Sequence, residues 1–209
     1  PDLIDLTDCK SIAMLIRNYQ VVKSLKCTIQ SRRAFYLWLN NIFNRVDEDR
    51  QKTVGPERVA GEWILRCGGG VKFTRTDRYI WDYNALPEWH RNKYEVEGID
   101  AKNTYITDGG LDHLVGLERL KTLNLSNCRY VSDLTKLLPV KETLEDLDIS
   151  NCAEITDLSS LFQLRNLKSL SLSGMVSVKD QESTINRLKE LLPNCEINPS
   201  DQNKEEAPE

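Results

Sequence analysis

Two histidines, six cysteines, one run of three glycines and a recurring aspartate are the residues of this 209-residue chain whose types invite chemistry. His90 and His113 are far apart, and neither has a Ser, Cys or carboxylate beside it in a catalytic arrangement. No H-E-x-x-H, G-x-S-x-G or glycine-rich nucleotide motif accompanies them, so the chain is expected to be no enzyme and to take no small-molecule substrate. The cysteines (Cys9, Cys27, Cys67, Cys128, Cys152 and Cys195) include no C-x-x-C pair, which argues against a zinc site. Gly68-Gly69-Gly70 lacks the G-K-[ST] of a phosphate loop and closes a helical pattern instead of opening one. Glycine in that place terminates a helix. A helix end also turns unpaired carbonyl oxygens outward with a partial negative charge, and such donors suit a hard cation such as magnesium.

The aspartates Asp108, Asp133, Asp157 and Asp180 recur because the sequence around them does. Residues 120–133 (LKTLNLSNCRYVSD), 144–157 (LEDLDISNCAEITD) and 167–180 (LKSLSLSGMVSVKD) share one leucine pattern at a spacing of 23 to 24 residues. That period is the signature of leucine-rich repeats, each supplying a short strand and a returning helix. No unit buries its own leucines, so units stack into a solenoid. The expected fold is therefore α/β, a short leucine-rich-repeat solenoid of about four repeats over residues 93–198. Its first repeat is degenerate: residues 106–108 align with 131–133, while Ile99-Asp100 slips by one residue. Each recurring aspartate is expected to cap a helix N-terminus. Cys128 and Cys152 share one slot, filled by Met175 in the third repeat, which indicates small buried packing residues. The strand positions pointing away from the leucines are Lys121, Thr122, Asn124, Ser126, then Glu145, Asp146, Asp148, Ser150, then Lys168, Ser169, Ser171, Ser173. Such a polar, small-chained face, acidic in its middle, suits protein docking.

The elements before the repeats must cover the first of them. Pro56 opens a helix whose stripe is Val59, Ala60, Trp63, Ile64 and Cys67. Residues 71–75 and 78–82 alternate like a hairpin around Thr76-Asp77. Phe35, Trp38, Leu39, Ile42, Phe43 and Val46 line one face of a helix, with Asn40, Asn41, Asn44 and Arg45 on the other. So aromatic a face either packs on the domain behind it or lies in a membrane interface, where Phe35, Trp38 and Phe43 would be the contacts. Residues 35–92 thus read as a small α+β N-terminal cap domain. After the third clear repeat, residues 185–192 read as a helix, 195–197 as a last strand and 199–209 as a charged, disordered tail.

Between Asp8 and Asp47 there is no acidic residue, while Lys10, Arg17, Lys23, Lys26, Arg32, Arg33 and Arg45 are basic. With apolar residues at helical intervals from Met14 onward, residues 1–34 read as an upstream extension and a mitochondrial transit peptide, cut before Phe35. Its removal leaves a more acidic body, which argues against nucleic acid as a partner. At 40% hydrophobic and 29% charged residues the composition is that of an ordinary globular protein. No apolar run approaches the roughly 18 residues of a membrane span.

Residues 35–50 (FYLWLNNIFNRVDEDR), 54–68 (VGPERVAGEWILRCG), 81–87 (WDYNALP) and 94–101 (YEVEGIDA) resemble the coupling factor B, or subunit s, family of the mitochondrial ATP synthase. The resemblance runs from Phe35 to about Ile197. It implies a protein on the matrix side of the mitochondrial inner membrane, loosely attached to the membrane sector of ATP synthase. The implied role is to keep proton conduction coupled to ATP synthesis by limiting leak. It also implies a magnesium ion held by the backbone carbonyls of Gly68 and Lys102, where the cap meets the first repeat. The family pattern has threonine where this chain has Lys102. The family's paired cysteines correspond to Ser126 and Cys128, which leaves Cys128 as a single thiol. A related group of leucine-rich-repeat assembly factors for the membrane arm of respiratory complex I is the alternative.

Overall fold

Each repeat places one aliphatic residue between two polar ones, as in Thr122-Leu123-Asn124 and Asp146-Leu147-Asp148. Successive side chains on a strand point to opposite faces, so this triplet buries one residue and presents two. The computed structural model describes residues 38–87, 94–175, 177–178 and 181–198. The strands are β1 (Gly70–Phe73), β2 (Val96–Asp100), β3 (Thr122–Asn124), β4 (Asp146–Asp148), β5 (Ser169–Ser171) and β6 (Glu196–Asn198). They form one sheet in chain order. β1 runs antiparallel to β2, and every later pair is parallel. Ile99, Leu123, Leu147, Leu170 and Ile197 lie in one register row across it.

The chain returns between the parallel strands mostly through 3-10 helices: Gly110–Leu114, Leu134–Val140 and Ser159–Gln163. Pro139 lies inside the second, where its missing N–H and ring disfavour an α-helical ladder. Only the last return, Gln181–Leu191, is α-helical. At the turn after each strand the chain takes a left-handed residue: Asn103, Asn127 and Asn151 have φ of 60°, 62° and 59°, and Gly174 has 67°. Asparagine and glycine tolerate that region best. Each asparagine amide bonds the next repeat's carbonyl, on Ser126, Ser150 and Ser173, at 2.8–3.0 Å.

Ahead of the sheet lie α1 (residues 38–44), α2 (Glu48–Val54) and α3 (Pro56–Arg66). The chain divides into two units, residues 1–39 and 40–209, and of the first only residues 38 and 39 are described. α2 has no buried residue and is held by its Asp47 cap, whose side chain accepts from the Arg50 amide. α3 buries Val59, and its Ala60, Trp63, Ile64 and Leu65 join a core that continues through the leucines to Leu192. At its buried face Glu62 is 4% exposed and pairs with Arg50 and Arg58, each at 2.7 Å. The expected hairpin reduces to one bridge, Val71 with Ile80, because Thr76 ties back to Phe73 and turns the chain early. The expected cut of residues 1–34 and the tail 199–209 lie outside the described residues.

Candidate functional site

The end of α3 shows why three glycines stand together. The Gly68 amide donates to the Leu65 carbonyl at 3.1 Å and the Gly69 amide to the Ile64 carbonyl at 2.9 Å. This is a Schellman closure, with Gly68 left-handed at φ 84°. A Cβ on Gly69 would lie 2.5 Å from the Asp100 carbonyl oxygen, so only glycine lets the helix end press on the end of β2. One residue on, the Trp81 indole lies against Gly70. On the β2 side, the Lys102 amide donates to Asp100 Oδ1 at 3.0 Å in a tight turn. Gly68 and Lys102 thus flank the contact between Gly69 and Asp100, with the Lys102 side chain exposed. Backbone oxygens with one carboxylate at hand are the donor set of a hydrated magnesium ion. Among the described residues no three His, Cys, Asp or Glu side chains converge as a metal cluster.

The sheet face opposite the core is organised in rows. One row reads Gly98, Thr122, Asp146, Ser169, Glu196, and the next Asp100, Asn124, Asp148, Ser171, Asn198. Within the second row, Asn124 Oδ1 accepts from the Ser126 amide and hydroxyl, and Asp148 Oδ1 from the Ser150 amide. Lysines flank the face, but Lys72 and Lys121 both pair with Glu97, and Lys168 with Glu145. The acidic middle is therefore Asp146 and Asp148. Tyr79 closes the β2 end of the face, its hydroxyl 3.1 Å from Thr122 Oγ1.

The cysteine slot does more than fill space. Cys128 Sγ donates to the Ala101 carbonyl at 3.2 Å and Cys152 Sγ to the Leu125 carbonyl at 3.1 Å. Thr104 fills the slot in the degenerate first repeat and bonds the same Ala101 carbonyl at 2.7 Å. Burial pushes the Cys67 and Cys128 thiols up to about 12 and raises Cys152 as well, so none is a ready thiolate. The recurring aspartates divide. Asp133 caps its own 3-10 helix through the Thr135 amide, and Asp157 accepts from the Ser159 amide. Asp108 instead reaches forward, accepting from the Ser132 and Asp133 amides of the following repeat. It is no cap of its own helix, because Gly109 occupies that position. Asp180 lies outside the described residues.

Of the aromatic helix, Phe35 lies outside the described residues, Trp38 is exposed and Phe43 half-buried. Its apparent polar face holds a surprise: Asn44 is 2% exposed. Asn44 Nδ2 donates to the Tyr105 carbonyl at 3.2 Å, and its Oδ1 accepts from the Thr107 amide at 3.0 Å. The periodicity could not signal an inward carboxamide. His90 also lies outside the described residues, whereas His113 stacks on Trp63 with ring centroids 4.8 Å apart. Burial depresses its pKa to about 4, which keeps the imidazole neutral.

Comparison with known proteins places this arrangement among relatives. No family model matches the chain. It is 40% identical over 172 residues to mouse (Mus musculus) "ATP synthase subunit s, mitochondrial", covering 79% of this chain and 86% of that protein. The human (Homo sapiens) protein of the same name is 39% identical over 183 residues, covering 84% and 91%. A more distant relative, "Distal membrane arm assembly component 2" of Drosophila melanogaster, is 31% identical over 114 residues, covering 49% of this chain and 40% of its own length.

Proposed function

This chain belongs to the family of mitochondrial ATP synthase subunit s, and from that premise we propose that it is a non-enzymatic coupling factor of the mitochondrial ATP synthase. In this reading it sits peripherally on the matrix side of the inner membrane, associates with the membrane sector and limits proton leak. The observation that carries it is the extent of the relationship, which spans most of both chains. Residues 35–92 serve as a cap and residues 93–198 as a leucine-rich-repeat solenoid. What supports the solenoid is the parallel register of Ile99, Leu123, Leu147, Leu170 and Ile197. The polar rows with Asp146 and Asp148 at their middle are the docking face. A magnesium ion bound by the Gly68 and Lys102 carbonyls would fix the contact between cap and first repeat, a structural role. Inner-membrane vesicles depleted of the endogenous factor test the proposal. Added protein should slow passive proton efflux and raise ATP synthesis at a fixed respiratory rate. Unchanged leak and unchanged synthesis would remove the coupling role.

A second reading has one observation in its favour, the relationship to the fly distal membrane arm component over 114 residues. In that reading the same face holds subunits of the membrane arm of respiratory complex I during assembly. Loss of the protein would then reduce assembled complex I and leave ATP synthase coupling intact.

A further inference from the structure

Two successive turns, leaving β2 and β3, carry side chains that neither the docking face nor the cation contact uses. Lys102 and Tyr105 stand on the first turn, Arg129 and Tyr130 on the second, and all four side chains are exposed. A bond from Asn127 Nδ2 to Asn103 Oδ1 lays the two turns side by side. The Tyr105 and Tyr130 rings are 6.2 Å apart between centroids, with 63% and 41% of each residue exposed. The Tyr105 carbonyl accepts from Asn44, so the end of α1, with half-buried Phe43 and exposed Arg45, joins the same edge. Among the described residues Arg45, Lys102 and Arg129 form no ion pair. The lysines along the sheet, by contrast, are paired. The carboxylates of these turns are engaged: Asp100 by the Lys102 amide, Asp108 by the Ser132 and Asp133 amides.

We infer that this edge rests on an anionic phospholipid bilayer, with the two tyrosine rings at headgroup level and the three cations against lipid phosphates. The inference rests on the peripheral-membrane reading above and gives that contact its residues. Tyrosine presents an apolar ring and a wet hydroxyl, which favours the headgroup layer. Unpaired Arg and Lys with long stems extend past such rings to anionic headgroups. Two clefts among the described residues lie elsewhere, around Val46 and Asp112 and around Arg75 to Ala85. A bilayer needs no cleft. The exposed Lys102 side chain gains a role in this picture that a threonine at the same position could not fill.

The test is co-sedimentation of the full chain with phosphatidylcholine vesicles, neutral or containing a third anionic phospholipid. Wild type should partition onto anionic vesicles and release as salt is raised past the screening range. Arg129→Glu swings two charges and should weaken partitioning about thirty-fold, and the Tyr105→Ser/Tyr130→Ser pair about ten-fold. Lys141→Glu, an exposed change elsewhere, should leave it unaltered, and unchanged melting curves certify the fold of every variant. Equal partitioning onto neutral vesicles, or edge variants that bind like wild type, overturns the inference. Capture of partner subunits with the same variants separates lipid from protein contact. Retained capture with lost vesicle binding supports the lipid edge, and lost capture with intact vesicle binding overturns it. Absence of ATP synthase from the wild-type capture would instead refute the proposed function and leave the vesicle result standing.

Discussion

Replacing Asn44 with alanine tests how α1 is fastened to the first repeat. The side chain makes two bonds distant in sequence, to the Tyr105 carbonyl at 3.2 Å and from the Thr107 amide at 3.0 Å. It is 2% exposed, so water does not readily replace it. Two net hydrogen bonds at about 1 kcal/mol each, plus an amide left without its acceptor, give a cost of about 2–4 kcal/mol. The neighbour Gly110 sharpens the test, because a Cβ there would collide with Asn44 Oδ1 and stand 3.1 Å from Trp63 Cζ2. Gly110→Ala should therefore be destabilising alone and less so in the Asn44→Ala background, with a coupling of at least about 1 kcal/mol. Urea unfolding of the four proteins, with unchanged denaturant slopes, measures both quantities. A loss below about 0.5 kcal/mol for Asn44→Ala, or strict additivity, would refute the fastening.

Three further outcomes follow from buried charge and from the cation contact. Burial holds His113 near 4, below its ordinary 6.5, so unfolding takes up a proton between those values. Stability should fall by up to about 3 kcal/mol as pH drops through that window, and His113→Phe should lose the slope in pH-dependent denaturation. For Glu62, burial opposes ionisation, yet bonds from Arg50 and Arg58 hold its carboxyl below the ordinary value. Its stabilisation is present above the unfolded pKa and lost as pH falls through the folded one. Glu62→Gln should cost about 3 kcal/mol at neutral pH, with the gap to wild type closing in acid melts. Calorimetric titration should show millimolar magnesium binding strengthened by Lys102→Thr, and no heat from either protein would refute the cation contact.

How much of this was legible in the residues differs from element to element. α3 announced itself because Pro56, a five-residue apolar stripe and three glycines fix its start, face and end. The strands from β3 to β5 were legible because the leucine between two polar residues recurs at a constant interval. α2 gave no signal: it buries nothing, so its only determinant is a cap that resembles an ordinary acidic loop. Asn44 reads as solvent-facing, since polar type predicts exposure unless a partner satisfies it inside, and nothing in the spacing marks Glu62 as buried. Their partners, Thr107 and Arg50 or Arg58, are set by packing that periodicity does not encode. The cysteine slot was readable as packing, but the thiol bonds to Ala101 and Leu125 required the register of adjacent repeats. Asp108 escaped for the same reason: its acceptors' donors belong to the next repeat.

Affinity capture of the protein from mitochondria, with identification of the subunits that accompany it, bears most directly on the central claim. Membrane-sector subunits of ATP synthase should co-purify, and the charge-reversing pair Asp146→Lys/Asp148→Lys on the sheet face should release them while the fold persists. Recovery of complex I membrane-arm subunits in their place, or of ATP synthase equally by the wild type and the reversed face, would contradict the account.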